Sequence, residues 1–143
     1  MMMKIYSVTL LLDGFRAKKE HDWSRVFEIE STTSLSRLHS YIQDIVEFDN
    51  DHMYDFFVGK NYRDRRNALS DDGGTPFDAG DYSDIRFEDV IPQAGFKLFY
   101  HFDFGDDWIF RLKIGRKIIN AEKGRKYPRL ILKNGKILKQ YAD

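Results

Sequence analysis

Residues Phe96 to Ile114 read FKLFYHFDFGDDWIFRLKI. Two apolar, aromatic runs meet at an acidic break, Asp103-Phe104-Gly105-Asp106-Asp107. Before the break, Phe96, Leu98, Tyr100 and Phe102 alternate with Lys97 and His101. After it, Trp108, Phe110, Leu112 and Ile114 alternate with Arg111 and Lys113. A period of two is the mark of a half-buried strand, so the stretch predicts a β-hairpin. Gly105 is expected to supply a positive φ at the turn, Asp103 to accept from turn amides, and Trp108 to anchor the returning strand. No other segment is as apolar or as dense in carboxylates.

Working outward toward the N-terminus, Lys4 to Asp13 alternates as a strand, with Tyr6, Val8, Leu10 and Leu12 on one face. Trp23 to Glu30 predicts a second strand, paired with the first as a hairpin across a long connection. Ser31-Thr32-Thr33-Ser34 is a helix-start signal, because a hydroxyl oxygen can accept from the free first-turn amides. Leu35, Leu38, Ile42 and Ile45 then recur at spacings of three, four and three, giving an amphipathic helix that ends near Val46. His52 to Gly59 predicts a third strand. The segment 61–84 reads as a long loop, with Asp72-Gly73-Gly74-Thr75-Pro76 and Ala79-Gly80 as turn signals. A short helix capped by Ser83 or Asp84 is expected to run through Asp89.

Beyond the central hairpin, Gly115 to Tyr127 reads as a basic connection, part helical or irregular. Arg129 to Leu132, Asn134-Gly135 and Ile137 to Tyr141 read as a second hairpin. A hairpin followed by a helix is how a ubiquitin-like sheet begins. The expected fold is therefore α+β: a β-grasp-like mixed sheet crossed by one main helix, with an added C-terminal β-hairpin, in a single domain over 1–143.

Composition bounds the function classes. A chain of 143 residues with 42% hydrophobic and 15% aromatic content can build one real core, which argues against disorder. With no cysteine, disulfides, thiol chemistry and cysteine zinc sites are excluded. No apolar run approaches the ~20 residues of a membrane helix, and no cleavage signal follows the first strand, so the expected compartment is cytoplasmic.

The formal net charge is zero, yet the charge is segregated. From Asp71 to Asp107 there are ten acids, and from Arg111 to Lys139 there are eleven bases against Glu122 alone. Either the two blocks face each other or simply solvate the surface, or the basic third meets phosphate. Arg111, Lys113, Arg116, Lys117, Arg125 and Lys126, interleaved with Phe110 and Tyr127, are the nucleic-acid candidates.

The same residues resemble a known family. Thr33-Ser34-Leu35-Ser36-Arg37-Leu38-His39 is similar to the threonine-started helix of plasmid pRiA4b ORF-3-like proteins. Asp51-His52-Met53-Tyr54-Asp55-Phe56 is similar to their His-Leu-x-x-Phe strand. Phe99-Tyr100-His101-Phe102-Asp103-Phe104-Gly105-Asp106-Asp107-Trp108 is similar to their Tyr-x-Tyr-Asp-Phe/Tyr-Gly-Asp-x-Trp signature. The resemblance covers about Lys4 to Ile114 and implies a family of unknown function found on plasmids and near mobile elements. Two features depart from the pattern. Phe110 stands where members often have a histidine, and Asn134-Gly135 replaces a later Cys and Pro-Pro-Glu-Asp segment. Some members are labelled resolvase-like, but no nucleophilic serine in an arginine-rich setting supports that label here.

Candidate chemistry centres on the acidic turn. Asp103, Asp106 and Asp107 beside His101 could hold a hard divalent cation such as magnesium, calcium or manganese, since carboxylate oxygens suit these ions. The competing reading makes the same residues a structural turn at Gly105 and Trp108. His39 and His52, thirteen residues apart across a helix end, could approach one another. His21 is the fourth histidine. No phosphate loop, dinucleotide fingerprint or Gly-x-Ser-x-Gly motif is present. The leading expectation is a non-catalytic binding or interaction domain with no required cofactor. Its recognition edge would be the 61–84 loop and the acidic turn, and its partner an unknown protein or nucleic acid. The alternative is a metal-assisted hydrolase or nuclease using Asp103, Asp106 and Asp107.

Overall fold

The computed structural model describes residues 3–18, 22–66 and 82–140, except the side chains of Phe15 and Lys18. His21, the larger part of the 61–84 loop with Asp71, Asp72, Asp78 and Asp81, and Tyr141 lie outside the described residues. Among the described residues six strands and one α-helix follow in order: β1 (Lys4–Asp13), β2 (Ser24–Glu30), α1 (Leu35–Val46), β3 (Tyr54–Gly59), β4 (Lys97–Phe102), β5 (Trp108–Asn120) and β6 (Arg129–Asn134). They form one sheet of order β3-β4-β5-β1-β2-β6, antiparallel at every pairing.

This pairing overturns the β-grasp expectation. A mixed β-grasp sheet needs a parallel neighbour for its first strand, whereas β1 is antiparallel to both β2 and β5. The reason is local. The tight turn after Phe102 sends β5 back along β4, and β5 then runs on beside β1, where Leu112 meets Leu10 and Phe110 meets Leu12. The architecture is dominated by its sheet, and α+β applies only loosely.

The alternation read from the sequence decides which face is buried. Tyr54, Phe56, Leu98, Tyr100, Phe102, Trp108, Phe110, Leu112, Val8, Leu10 and Leu12 share one core with Leu35, Leu38, Ile42 and Val46 of α1. Val46 is buried while Ile45 is only partly so, a shift of one residue at the end of the expected stripe. Ser34 is the N-cap, and its side chain accepts from the Arg37 amide at 3.1 Å. The opposite sheet face carries a smaller cluster of Phe57, Phe99 and Ile109, with Tyr62 packed on it.

Three expectations along the chain are corrected. The short helix is a 3₁₀ turn at Phe87–Val90 capped by Arg86, not by Ser83 or Asp84. The basic connection after Gly115 is strand: β5 continues to Asn120 because β1 supplies a pairing partner as far as Lys4. Its register shifts between the pairs Val8–Ile114 and Tyr6–Ile118, leaving Gly115, Arg116 and Lys117 as the bulged residues.

The C-terminal hairpin also does not form within the described residues. β6 pairs with β2, and Gly135 takes a φ of 92°, but the chain beyond leaves the sheet. Trp23 Nε1 donates to the Lys136 carbonyl at 3.0 Å and Arg25 donates to the carbonyls of Asn134 and Gly135. Leu138 is buried in the main core, which a second hairpin strand could not achieve. Core burial of one leucine and three anchored carbonyls outweighs the local turn preference of Asn-Gly.

Candidate functional site

The acidic turn is built by its aspartates. Asp103 and Asp107 take φ values of 61° and 53°, while Gly105 is not among the residues of positive φ. The expected role of Gly105 thus falls to two aspartates, the side chains that best tolerate the left-handed region after glycine. Asp103 is 5% exposed, and its Oδ1 accepts from the amides of Gly105 and Asp106 at 3.2 Å each. Its Oδ2 lies 3.4 Å from His52 Nε2. Trp108 is buried, as expected, with the Arg16 guanidinium 4.0 Å over its ring. Arg16 also donates to the Asp106 carbonyl at 2.9 and 3.0 Å, tying the turn to the 3₁₀ segment Gly14–Lys18.

The three carboxylates do not act as one group. Asp103 turns inward, Asp106 is exposed, and Asp107 faces His101, whose Nε2 donates to Asp107 Oδ1 at 2.8 Å. Among the described residues, no group of three or more His, Cys, Asp or Glu side chains is arranged to hold a metal ion. His101 Nδ1 instead accepts from Arg65 at 3.2 Å, and Arg65 pairs with Asp55 at 2.5 Å. The result is a chain Asp107–His101–Arg65–Asp55 on the sheet face away from α1, with Arg65 lying 4.0 Å over Phe57. Arg65 reaches it because residues 60–66 fold back on β3, Val58 and Arg66 exchanging backbone bonds of 3.0 and 2.8 Å. Arg65 and Asp55 were not foreseen; an aspartate inside the apolar run Tyr54 to Val58 was the one available signal.

His39 and His52 do come together, lining one open depression of about 520 Å³ with Asn50, Asp51, Met53 and Tyr54. His39 belongs to a buried network: its ring stacks on Tyr54 at 3.5 Å, Nδ1 meets Tyr100 Oη at 2.6 Å and Nε2 meets Asn50 Oδ1 at 2.6 Å. Gln43 Nε2 donates to the same Tyr100 oxygen at 3.0 Å. In the tautomer these partners select, Tyr100 donates to Nδ1 and Nε2–H donates to Asn50.

Burial lowers the His39 pKa below its ordinary value of 6.5, with the Asn50 hydrogen bond opposing this. The folded chain therefore disfavours the imidazolium. This contribution to stability is fully present above the unfolded pKa of about 6.5 and is lost as pH falls through the folded value. The denaturant midpoint is expected to drop between about pH 7 and pH 5, with a shallower drop in His39→Gln.

The second feature is cationic. A notch of about 580 Å³ opens where β5 runs past the end of β4. Lys97, Arg111, Lys113 and Arg116 line it, together with Tyr6, Phe96 and Ile118, and no acid lines it. Arg65, Arg66, Arg86, Arg125 and Arg129 each have a carboxylate partner, but among the described residues none of the four notch cations is ion-paired. Among the described residues no ion pair joins the acidic block to the basic third. Lys117 is exposed on the same strand. Arg125 and Lys126 lie beyond β5, and Arg125 is paired with Glu122 at 3.0 Å. The aromatics expected to stack ligand bases are occupied: Phe110 is fully buried and Tyr127 is 7% exposed. Phe96 and Tyr6 stand at the notch instead, and Arg66 lies 5.0 Å over the Phe96 ring.

Comparison with known proteins adds lineage and fold. The family model described as plasmid pRiA4b ORF-3-like protein matches residues 4–138. The uncharacterized protein y4hQ of Sinorhizobium fredii (strain NBRC 101917 / NGR234) is 36% identical over 88 residues, which cover 59% of this chain and 42% of that protein. The match therefore spans less than half the length of this curated relative. The crystal structure of the protein of unknown function MM3350 from Methanosarcina mazei Go1 aligns with a TM-score of 0.70 at 17% identity, over 93% of this chain and 70% of that one. That likeness shows a shared fold. Among the described residues, no helix is long and apolar enough to cross a membrane.

Proposed function

The chain belongs to the plasmid pRiA4b ORF-3-like family, and from that premise we propose that it is a non-catalytic binding module whose ligand is an anionic polymer. The observation that carries this reading is the notch of Lys97, Arg111, Lys113 and Arg116, four cations without an ion-pair partner among the described residues. Like charges on neighbouring strands repel, and that arrangement is relieved when an anion arrives. The strand pairing accounts for the crowding. Arg111 sits opposite Phe99, and one pleat further on Lys113 follows the direction of Lys97. A chain of zero net charge thereby presents one locally positive recess.

The acidic turn supports the reading indirectly. The Asp103 carboxylate is spent on turn amides and that of Asp107 on His101, which fixes the hairpin that carries Lys97 and Arg111. Binding here needs no bond to be made or broken.

Salt dependence is the test. Fluorescence anisotropy with labelled oligonucleotides is expected to show affinity falling linearly in log–log form with salt, with a slope near −2 to −4, roughly 0.7 to 0.9 per phosphate contact. The double variant Lys113→Glu/Arg116→Glu is expected to remove about half of that slope. Salt-independent binding, or binding unchanged in the double variant, contradicts the proposal.

A further inference from the structure

We infer that the notch is a site for single-stranded nucleic acid, with unpaired bases against Phe96 and Tyr6 and phosphates along Lys97, Lys113 and Arg116. The inference rests on the anionic-polymer reading and narrows its ligand. Three features of the notch favour a single strand over other polyanions.

The first is the pairing of cations with rings. Phe96 and Tyr6 are half-buried in the same recess as the four cations. A duplex keeps its base faces stacked within itself and offers only its phosphates. A run of acidic residues has carboxylates but no flat face. An unpaired strand brings both a repeating anion and a run of stackable rings.

The second is the free edge of β5. Its pairing with β4 ends at Leu112, while its pairing with β1 continues to Asn120. From Lys113 onward, the edge away from β1 has no strand partner among the described residues. Its backbone donors and acceptors are open to base edges or phosphate oxygens. The third is the wall facing that edge. The turn closed by the Phe96 amide on the Gln93 carbonyl at 3.0 Å, with Pro92 and Ala94, makes the recess a groove with two sides. The guanidinium of Arg66 on Phe96 adds positive charge beside the ring.

The test compares three probes at one low salt concentration: labelled oligothymidylate of about twelve nucleotides, a hairpin duplex, and poly-glutamate as competitor. Single strand is expected to bind at least about tenfold tighter than duplex, and poly-glutamate to compete poorly. Phe96→Leu, which keeps an apolar wall but removes the flat ring, is expected to lose about tenfold toward the single strand and little toward the duplex. Duplex binding equal to single strand, or full displacement by poly-glutamate, overturns this inference and leaves the anionic-polymer reading standing. No binding of any probe sinks both. If Phe96→Leu does not fold, the ratio of single-strand to duplex affinity in the unaltered protein still decides.

Discussion

Trp108→Ala is expected to cost ~3–5 kcal/mol of folding free energy, the range for removing a large buried aromatic. Trp108 is 3% exposed and sits where three parts of the chain converge. Its ring contacts Phe48, from the segment after α1, with centroids 4.8 Å apart, and stacks with Phe110 at 6.3 Å and 11°. The Arg16 guanidinium covers it from the N-terminal side. Alanine would leave a cavity between the hairpin and the segment after α1, and would strip the stacking partner from Arg16. A domain of this size has a total stability of roughly 5–15 kcal/mol, so the variant should be marginal or unfolded at 37 °C. Urea or guanidinium titration measures the loss. Phe104→Ala, four residues earlier on the exposed side of the same turn, is the control and should stay within about 0.5 kcal/mol. A Trp108→Ala midpoint close to that of the unaltered protein would show that the hairpin is not the organising element of the core.

The second large effect belongs to one oxygen atom. Tyr100 Oη accepts from Gln43 and donates to His39, and both partners are buried. Burial raises the Tyr100 pKa well above its ordinary value, so the phenol stays protonated and available as a donor. Tyr100→Phe keeps the ring, its packing on Phe56 and its place opposite Phe110. It removes the hydroxyl and leaves His39 Nδ1 and Gln43 Nε2 without that partner. Each buried polar group so orphaned costs ~1–3 kcal/mol, giving an expected loss of ~2–6 kcal/mol from a change of a single atom. Chemical denaturation at neutral pH measures it. A double-mutant cycle with Gln43→Leu, which removes one of the orphaned groups, should recover part of the loss. A Tyr100→Phe variant as stable as the unaltered protein would mean that water fills the place of the hydroxyl.

Much of this was legible in the sequence, for a common reason. Strands β1 to β5 and the start of α1 follow from alternation and from the Ser34 cap, which are local and strong. The sheet order did not follow, because the antiparallel seat of β1 between β2 and β5 is a long-range choice with no local mark. The second half of β5 escapes the sequence because Gly115 followed by Arg116 and Lys117 looks like loop until a partner strand is supplied. Asn134-Gly135 carried a real turn signal, but Leu138 had a better place in the core. At the site, His101 and the aspartates stood out as residue types. Their pairing with Arg65 and Asp55 depends on the fold-back of residues 60–66, where a Cβ on Gly59 would collide with the Asp64 carbonyl oxygen. The cationic notch was half visible. Arg111, Lys113 and Arg116 were evident as a run, but Lys97 joined them only through the β4–β5 register.

The basic notch at the free edge of β5 is proposed as the place where the ligand sits. Mapping backbone amide chemical-shift changes while titrating an oligonucleotide reports that location independently of affinity. The largest changes are expected on Gln93 to Lys97 and on Lys113 to Ile118. Changes confined to the Asp103–Asp107 turn, or to β6 at the far edge of the sheet, would contradict it.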